Sequence, residues 1–184
     1  MTQTITVRPE RKVRPRQVAQ WALVVFVIGF CGLVLYLRET TYDSVIVLGD
    51  SMEPTLQDSD RLIALKHPYP AMSPQRGDIV VVEPGNGTIA VKRVVAVAGD
   101  RLYIARGHLY VNGRRCEESY VKEPMIAERP YGPLTVPEGH VYVMGDNRNH
   151  SEDSRDYGPV SYEHVTGLVI CRIWPLSKLK YFRR

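Results

Sequence analysis

The chain has 184 residues, 44% of them hydrophobic and 24% charged, enough for one domain with its own core plus an appendage. Its formal net charge of +4 is equalled by Arg8, Arg11, Lys12, Arg14 and Arg16 set against Glu10 alone, so the remainder is close to neutral. That distribution excludes the dense basic stripe of a nucleic-acid-binding surface, and the ordinary composition excludes disorder as the default state.

The basic segment, residues 1–17, runs into "VAQWALVVFVIGFCGLVLYL" (18–37), which carries no charge. As a helix rising about 1.5 Å per residue, 20 residues span roughly 30 Å, the hydrocarbon thickness of a bilayer. Trp21 and Tyr36 stand near its ends, where amphipathic rings favour the interface. A buried core helix and a cleaved signal peptide are the alternatives. The apolar run is long for the second, and no small-x-small site follows in "YLRETTYDS". The segment is read as an uncleaved membrane anchor. The positive-inside rule then puts residues 1–17 in the cytoplasm and residues 38–184 on the extracytoplasmic side, at the cell membrane.

Beyond residue 38 the apolar runs are short, β-branched and punctuated by turns, which predicts a mainly β domain. Strands are expected at 44–48, 61–65, 78–83, 88–98, 101–105, 108–112, 140–145 and 165–174. Asn112-Gly113 and Gly85-Asn86-Gly87 are tight-turn signals. Pro124, Pro130, Pro133 and Pro137 crowd one region, so residues 101–137 are expected to form a small hairpin and an irregular insert. Of the three cysteines, Cys31 falls in the anchor; Cys116 and Cys171 could bridge or remain free thiols. No Cys/His cluster suggests zinc, and "GDNRNHSEDSRDYG" (145–158) fails as a calcium loop because Arg148 and His150 occupy ligand positions. No metal or cofactor is expected.

Three stretches carry candidate chemistry. "GDSMEPTL" (49–56) exposes Ser51 between two strands, as turn furniture or as a nucleophile; the elbow of Ser-His-Asp hydrolases, G-x-S-x-G, is absent. In "TIAVKRVVAVA" (88–98), Lys92 and Arg93 interrupt an apolar run. On a strand they point to opposite faces, Lys92 with Ala90, Val94 and Ala96, Arg93 with Val91, Val95 and Val97. Both stems could snorkel, but at least one cation is expected against a dehydrated surface. Arginine keeps its charge there, whereas a desolvated lysine can lose its proton. A free lysine near pKa 10.4 is neutral about once in 2,500 molecules at pH 7, a cost of about 4.6 kcal/mol that a dry pocket would largely remove. Lys92 is thus a candidate base for Ser51. The third stretch, 145–158, packs Asp146, Arg148, Asp153, Arg155 and Asp156 together, either as a solvated loop or as a network pairing Arg93 and orienting Lys92.

Together, "GDSMEPTL", "RGDIVVV" (76–82), "VKRVVAVAGD" (91–100) and "GDNRNHSEDSR" (145–155), in that order behind one apolar segment, resemble the bacterial type I signal peptidases, in their compact Gram-positive-like form. The resemblance implies a serine endopeptidase with a signal-peptidase-like β-domain, Ser51 as nucleophile and Lys92 as general base. It implies that Ser151 hydrogen-bonds the Lys92 amine, that Asp153 and Arg155 form a structural ion pair, and that Asp146 pairs with Arg93. The Ser51 N–H would be one oxyanion donor. The hydroxyl that supplies a second in some members falls at Gly49, which has none. Substrates would be preproteins with small residues at −1 and −3, bound as an added strand and cut through an acyl-enzyme, with Met52 and Val91 as candidate pocket walls. The lipid bilayer is the other implied partner. A self-cleaving repressor-type protease shares the Ser-Met and Val-Lys-Arg motifs but needs no anchor. A tethered β-domain that only binds partners would be indifferent to loss of Lys92.

Overall fold

The computed structural model describes residues 15–69, 71–85, 87–126 and 131–182. The first part of the basic segment, Asn86 of the second turn signal, Pro130 and the terminal Arg183 and Arg184 lie outside them. The chain divides into two units, Met1–Thr40 and Thr41–Arg184.

In the first unit, the apolar run forms α1 (Pro15–Thr41), which overruns the expected 18–37 at both ends. Pro15 opens it, where a missing N–H costs nothing. The window Ala19–Tyr36 has a mean hydropathy of 2.1, and none of it is buried. This helix is long and apolar enough to cross a bilayer.

The second unit is mainly β. Its larger sheet contains β1 (Tyr42–Ile46), β2 (Arg61–Lys66), β3 (Ile79–Val82), β4 (Ala90–Val97), β9 (His140–Met144), β10 (Val160–Ser161), β11 (Val165–Trp174) and β12 (Lys180–Tyr181). Their order is β1-β2-β11-β3-β4-β9-β10, with β12 beside β11, and every pairing is antiparallel. The smaller sheet, ordered β7-β6-β5-β8, contains β5 (Arg101–Ala105), β6 (His108–Val111), β7 (Arg114–Arg115) and β8 (Tyr131–Thr135).

The alternation of side chains explains the three core clusters. In β3, Ile79 and Val81 point into one cluster with Met52, Leu56 and Leu62, while Val80 and Val82 point into another with Val94, Val141 and Val143. Both faces of this central strand are covered, which is why it reads as an unbroken apolar run. A third cluster joins Leu102, Ile104 and Leu109 of the small sheet to Val95, Tyr142 and Met144 of the large one.

Three expectations need correction. β1 lies two residues earlier than the apolar run 44–48 suggests, because pairing with β2 runs from Tyr42 opposite Leu65 to Ile46 opposite Arg61. The proline-rich region contains a real strand, β8, and Pro133 is tolerated there because β8 is an edge of its sheet. Finally, the pairing of β4 with β9 shifts between Val94 and Ala96. Val97 therefore rejoins Ala90 and Val94 in one cluster, and Ala96 joins Val95 in another, so the faces assigned by simple alternation hold only up to Val94. Cys116 and Cys171 are free thiols.

Candidate active site

Ser51 opens a turn between β1 and β2, and the residues after it pin that turn to the core. Met52 and Leu56 are 1% and 0% exposed, and the Leu56 N–H donates to the Met52 carbonyl at 2.9 Å. Arg172 of β11 reaches over to grip the Asp60 carboxylate at 2.7 Å and the Thr55 carbonyl at 3.2 Å. From the far end of the chain, the Asn147 N–H donates to the Ser51 carbonyl at 3.0 Å and its side-chain amide to the Asp50 carbonyl at 3.2 Å. The serine thus sits on a clamped turn. Gly49, just ahead, has φ near +83°, and its N–H is committed to Asp58 Oδ1 at 2.8 Å.

Both cations of β4 are buried, Lys92 at 3% exposure and Arg93 at 8%. Arg93 makes a two-pronged grip on Asp146, Nε to Oδ1 at 2.8 Å and Nη2 to Oδ2 at 2.7 Å, with the Gly77 carbonyl taking Nη1 at 3.0 Å. Among the described residues, Lys92 has no such carboxylate in contact. Its Nζ donates to Ser151 Oγ at 3.0 Å. Burial is the main influence on this amine and pushes its pKa below the ordinary lysine value, against the smaller upward pull of Asp153.

Ser151 has one proton, and that proton is committed: its Oγ donates to Asp153 Oδ2 at 2.9 Å. Towards Lys92 the oxygen can only accept, which fixes one amine N–H and leaves a neutral amine's lone pair to point elsewhere. Asp153 is completely buried and held in turn by Arg155 through Nε at 2.8 Å and Nη2 at 2.9 Å, and by the Gly145 N–H at 3.0 Å. It also caps the short helix α2 (Ser154–Tyr157), where Asp156 reciprocates in a capping box. The loop read as either solvated or organised is organised.

Ser51 and Lys92 line one cavity of about 300 Å³, together with Met52, Val91, Val45, Val47 and Ala90. One wall is β1, an edge strand; the other is the start of β4, which pairs with β9 only from Arg93 onward. The cavity is a slot between two unpaired backbone edges. Ser51, Lys92, Met52 and Val91 line it, Ser151, Asp153 and Arg155 connect to it through the Lys92 amine, and Arg93 and Asp146 pair with each other outside its lining. Gly49 is not among its lining residues, and His150 is exposed and outside it.

Sequence reasoning missed several contributors. Glu152 and Tyr157 line the same cavity, and the Tyr157 hydroxyl is buried without a hydrogen-bond partner among the described residues. Gly145 is a contact point: a Cβ there would lie 2.5 Å from the Ser51 carbonyl oxygen and 2.6 Å from Ser151 Cβ. Nothing in the local pattern announces these contacts, although "GD" at 145–146 repeats "GD" at 49–50.

Residues 18–174 match the family described as Signal peptidase, peptidase S26. A probable signal peptidase I-2 of Synechocystis is 37% identical over 164 residues, 85% of this chain and 72% of its own. Signal peptidase I U of Bacillus subtilis is 31% identical over 186 residues, 96% of each chain. A solved signal peptidase I from Enterococcus faecalis superposes with a TM-score of 0.47 and 33% identity, covering 53% of this chain and 97% of that one. The chain belongs to the signal peptidase family, a family of peptidases.

Proposed function

We propose that this chain is a membrane-anchored serine endopeptidase that removes N-terminal signal peptides from preproteins, with Ser51 as nucleophile and Lys92 as general base. The observation that carries this reading is Lys92: a buried amine with no contacting carboxylate among the described residues, depressed in pKa, sharing a cavity with a clamped serine. In the neutral state its lone pair takes the Ser51 proton as Oγ attacks the scissile carbonyl. The Ser51 N–H is one donor to the developing oxyanion. The Lys92 ammonium then protonates the leaving amine, giving an acyl-enzyme, and the regenerated amine activates water for deacylation. Ser151, Asp153 and Arg155 keep the amine oriented throughout, and the Arg93–Asp146 pair keeps the neighbouring cation out of the slot. No metal or cofactor enters these steps.

An extended preprotein segment fits between the β1 edge and the free start of β4 as an added strand. Met52 and Val91 crowd that slot, in keeping with small residues at −1 and −3. The helix α1 serves as anchor, with residues 1–17 cytoplasmic and the catalytic unit, about residues 38–184, extracytoplasmic. Anchoring confines enzyme and preprotein to one membrane face, which supplies proximity.

The test is cleavage of a model preprotein by the full chain in lipid vesicles. Ser51→Ala and Lys92→Ala each abolish cleavage while the fold survives. A Lys92→Ala enzyme that still cleaves, beside a dead His150→Ala, would replace this reading with a histidine mechanism.

A further inference from the structure

The segment 116–126, which links β7 to the residues before β8, carries no strand or helix, yet it crosses the back of the 145–149 loop and grips it at several points. Arg148 is 2% exposed, and among the described residues its ion-pair partner is Glu118: Nη1 to Oε2 at 2.8 Å and Nη2 to Oε1 at 2.6 Å. A guanidinium so deeply buried needs that carboxylate, because an unpaired cation would have to find water. The third donor, Arg148 Nε, closes on the Gly145 carbonyl at 3.0 Å. Tyr120 donates its hydroxyl to Glu118 Oε1 at 2.9 Å and lays its ring 4.0 Å under the Arg93 guanidinium. Further along, the Ile126 N–H donates to Asn149 Oδ1 at 2.8 Å, and the Asn149 amide returns to the Pro124 carbonyl at 3.2 Å.

The loop held this way touches both halves of the site. Asn147 clasps the Ser51 carbonyl, and Gly145 lies against the Ser51 carbonyl on one side and Ser151 on the other, with its N–H on Asp153. We propose that residues 116–126 are a strap and that Glu118 is a positioning residue for the reaction: through Arg148 and the Gly145 carbonyl it sets the separation of the Ser51 turn from the Lys92–Ser151 pair. This inference rests on the Ser51–Lys92 reading above. Glu118 does not line the substrate slot, so its effect falls on chemistry and not on binding.

The experiment measures kcat and KM separately for the full chain in vesicles, on one model preprotein, well below the Tm of each variant. Glu118→Gln lowers kcat roughly 10- to 100-fold, the scale of a sub-ångström to 1 Å misplacement, and leaves KM unchanged. Arg148→Lys, which keeps a cation but loses the Nε contact, gives a similar loss. Because both act through one carbonyl, the double variant loses no more than the worse single one. If Glu118→Gln does not fold, Glu118→Asp gives the same readout, since it keeps the charge but is one methylene short of a two-pronged grip. An unchanged kcat, a loss confined to KM, or losses that multiply in the double variant would overturn the strap. Ser51→Ala runs alongside: if it still cleaves, the active-site reading has failed; if it is dead while Glu118→Gln keeps parental kcat, only the strap has failed.

Discussion

Gly145→Ala probes the site at its narrowest point. Gly145 does not lie in the left-handed region, so the position demands space and not backbone freedom. An added Cβ would meet the Ser51 carbonyl oxygen at 2.5 Å and Ser151 Cβ at 2.6 Å, with Ser151 Oγ closer still. Ordinary contact begins at 3.4 Å, so the Ser51 side must yield by about 0.9 Å and the Ser151 side by about 0.8 Å. Neither neighbour is free to move. Ser51 is clamped by Asn147 and Met52, and Ser151 is tied to Lys92 and Asp153. Overpacking of this kind costs about 1–3 kcal/mol of stability, which the fold survives. Displacing nucleophile and base partner by close to 1 Å costs on the order of 100-fold in kcat. Thermal unfolding and steady-state cleavage of a model preprotein by the same preparation separate the two effects. A Gly145→Ala enzyme with a modest loss of Tm and parental kcat would refute the idea that this contact sets the catalytic spacing.

Other outcomes follow from the same geometry. The value of kcat/KM rises with pH through an apparent pKa below the 10.4 of a free lysine; a midpoint near 10.4 contradicts a desolvated Lys92. Between the lowered folded value and the unfolded one, the unfolded chain binds one more proton, so Lys92 lowers stability below that window and the penalty fades as pH rises through it. Lys92→Met is therefore inactive but more stable at neutral pH, and denaturant titrations across pH show the difference shrinking towards pH 10. Ser151→Ala leaves the amine without its acceptor, and single-turnover acylation falls by roughly 100-fold while substrate binding persists. Asp146→Asn strands the buried Arg93 cation and costs about 3–5 kcal/mol in the unfolding free energy, a larger loss than any exposed carboxylate would give.

Much of this was readable along the chain because its cause is local. Apolar alternation marks β2, which buries one face, and an unbroken β-branched run marks β3, which is covered on both. Two consecutive cations in an apolar run signal that at least one is held against a dehydrated surface, and the structure buries both Lys92 and Arg93. An uncharged run of membrane length signals α1.

Sequence alone thus pointed to Ser51, Lys92 and the charged stretch 145–158 as candidates, its family resemblance singled out Ser151, Asp153, Arg155, Arg93 and Asp146, and its patterning determined a mainly β unit behind an apolar helix. Only the tertiary structure decided how they are spaced. The bulge in β4 that reassigns Ala96 and Val97, the clasp of Asn147 on the Ser51 carbonyl, Tyr157 in the cavity wall and the grip of Glu118 on Arg148 are all contacts between distant segments. Such contacts leave no period in the sequence, because they arise from the packing of distant strands and loops around one slot and not from the preference of any residue for its neighbours.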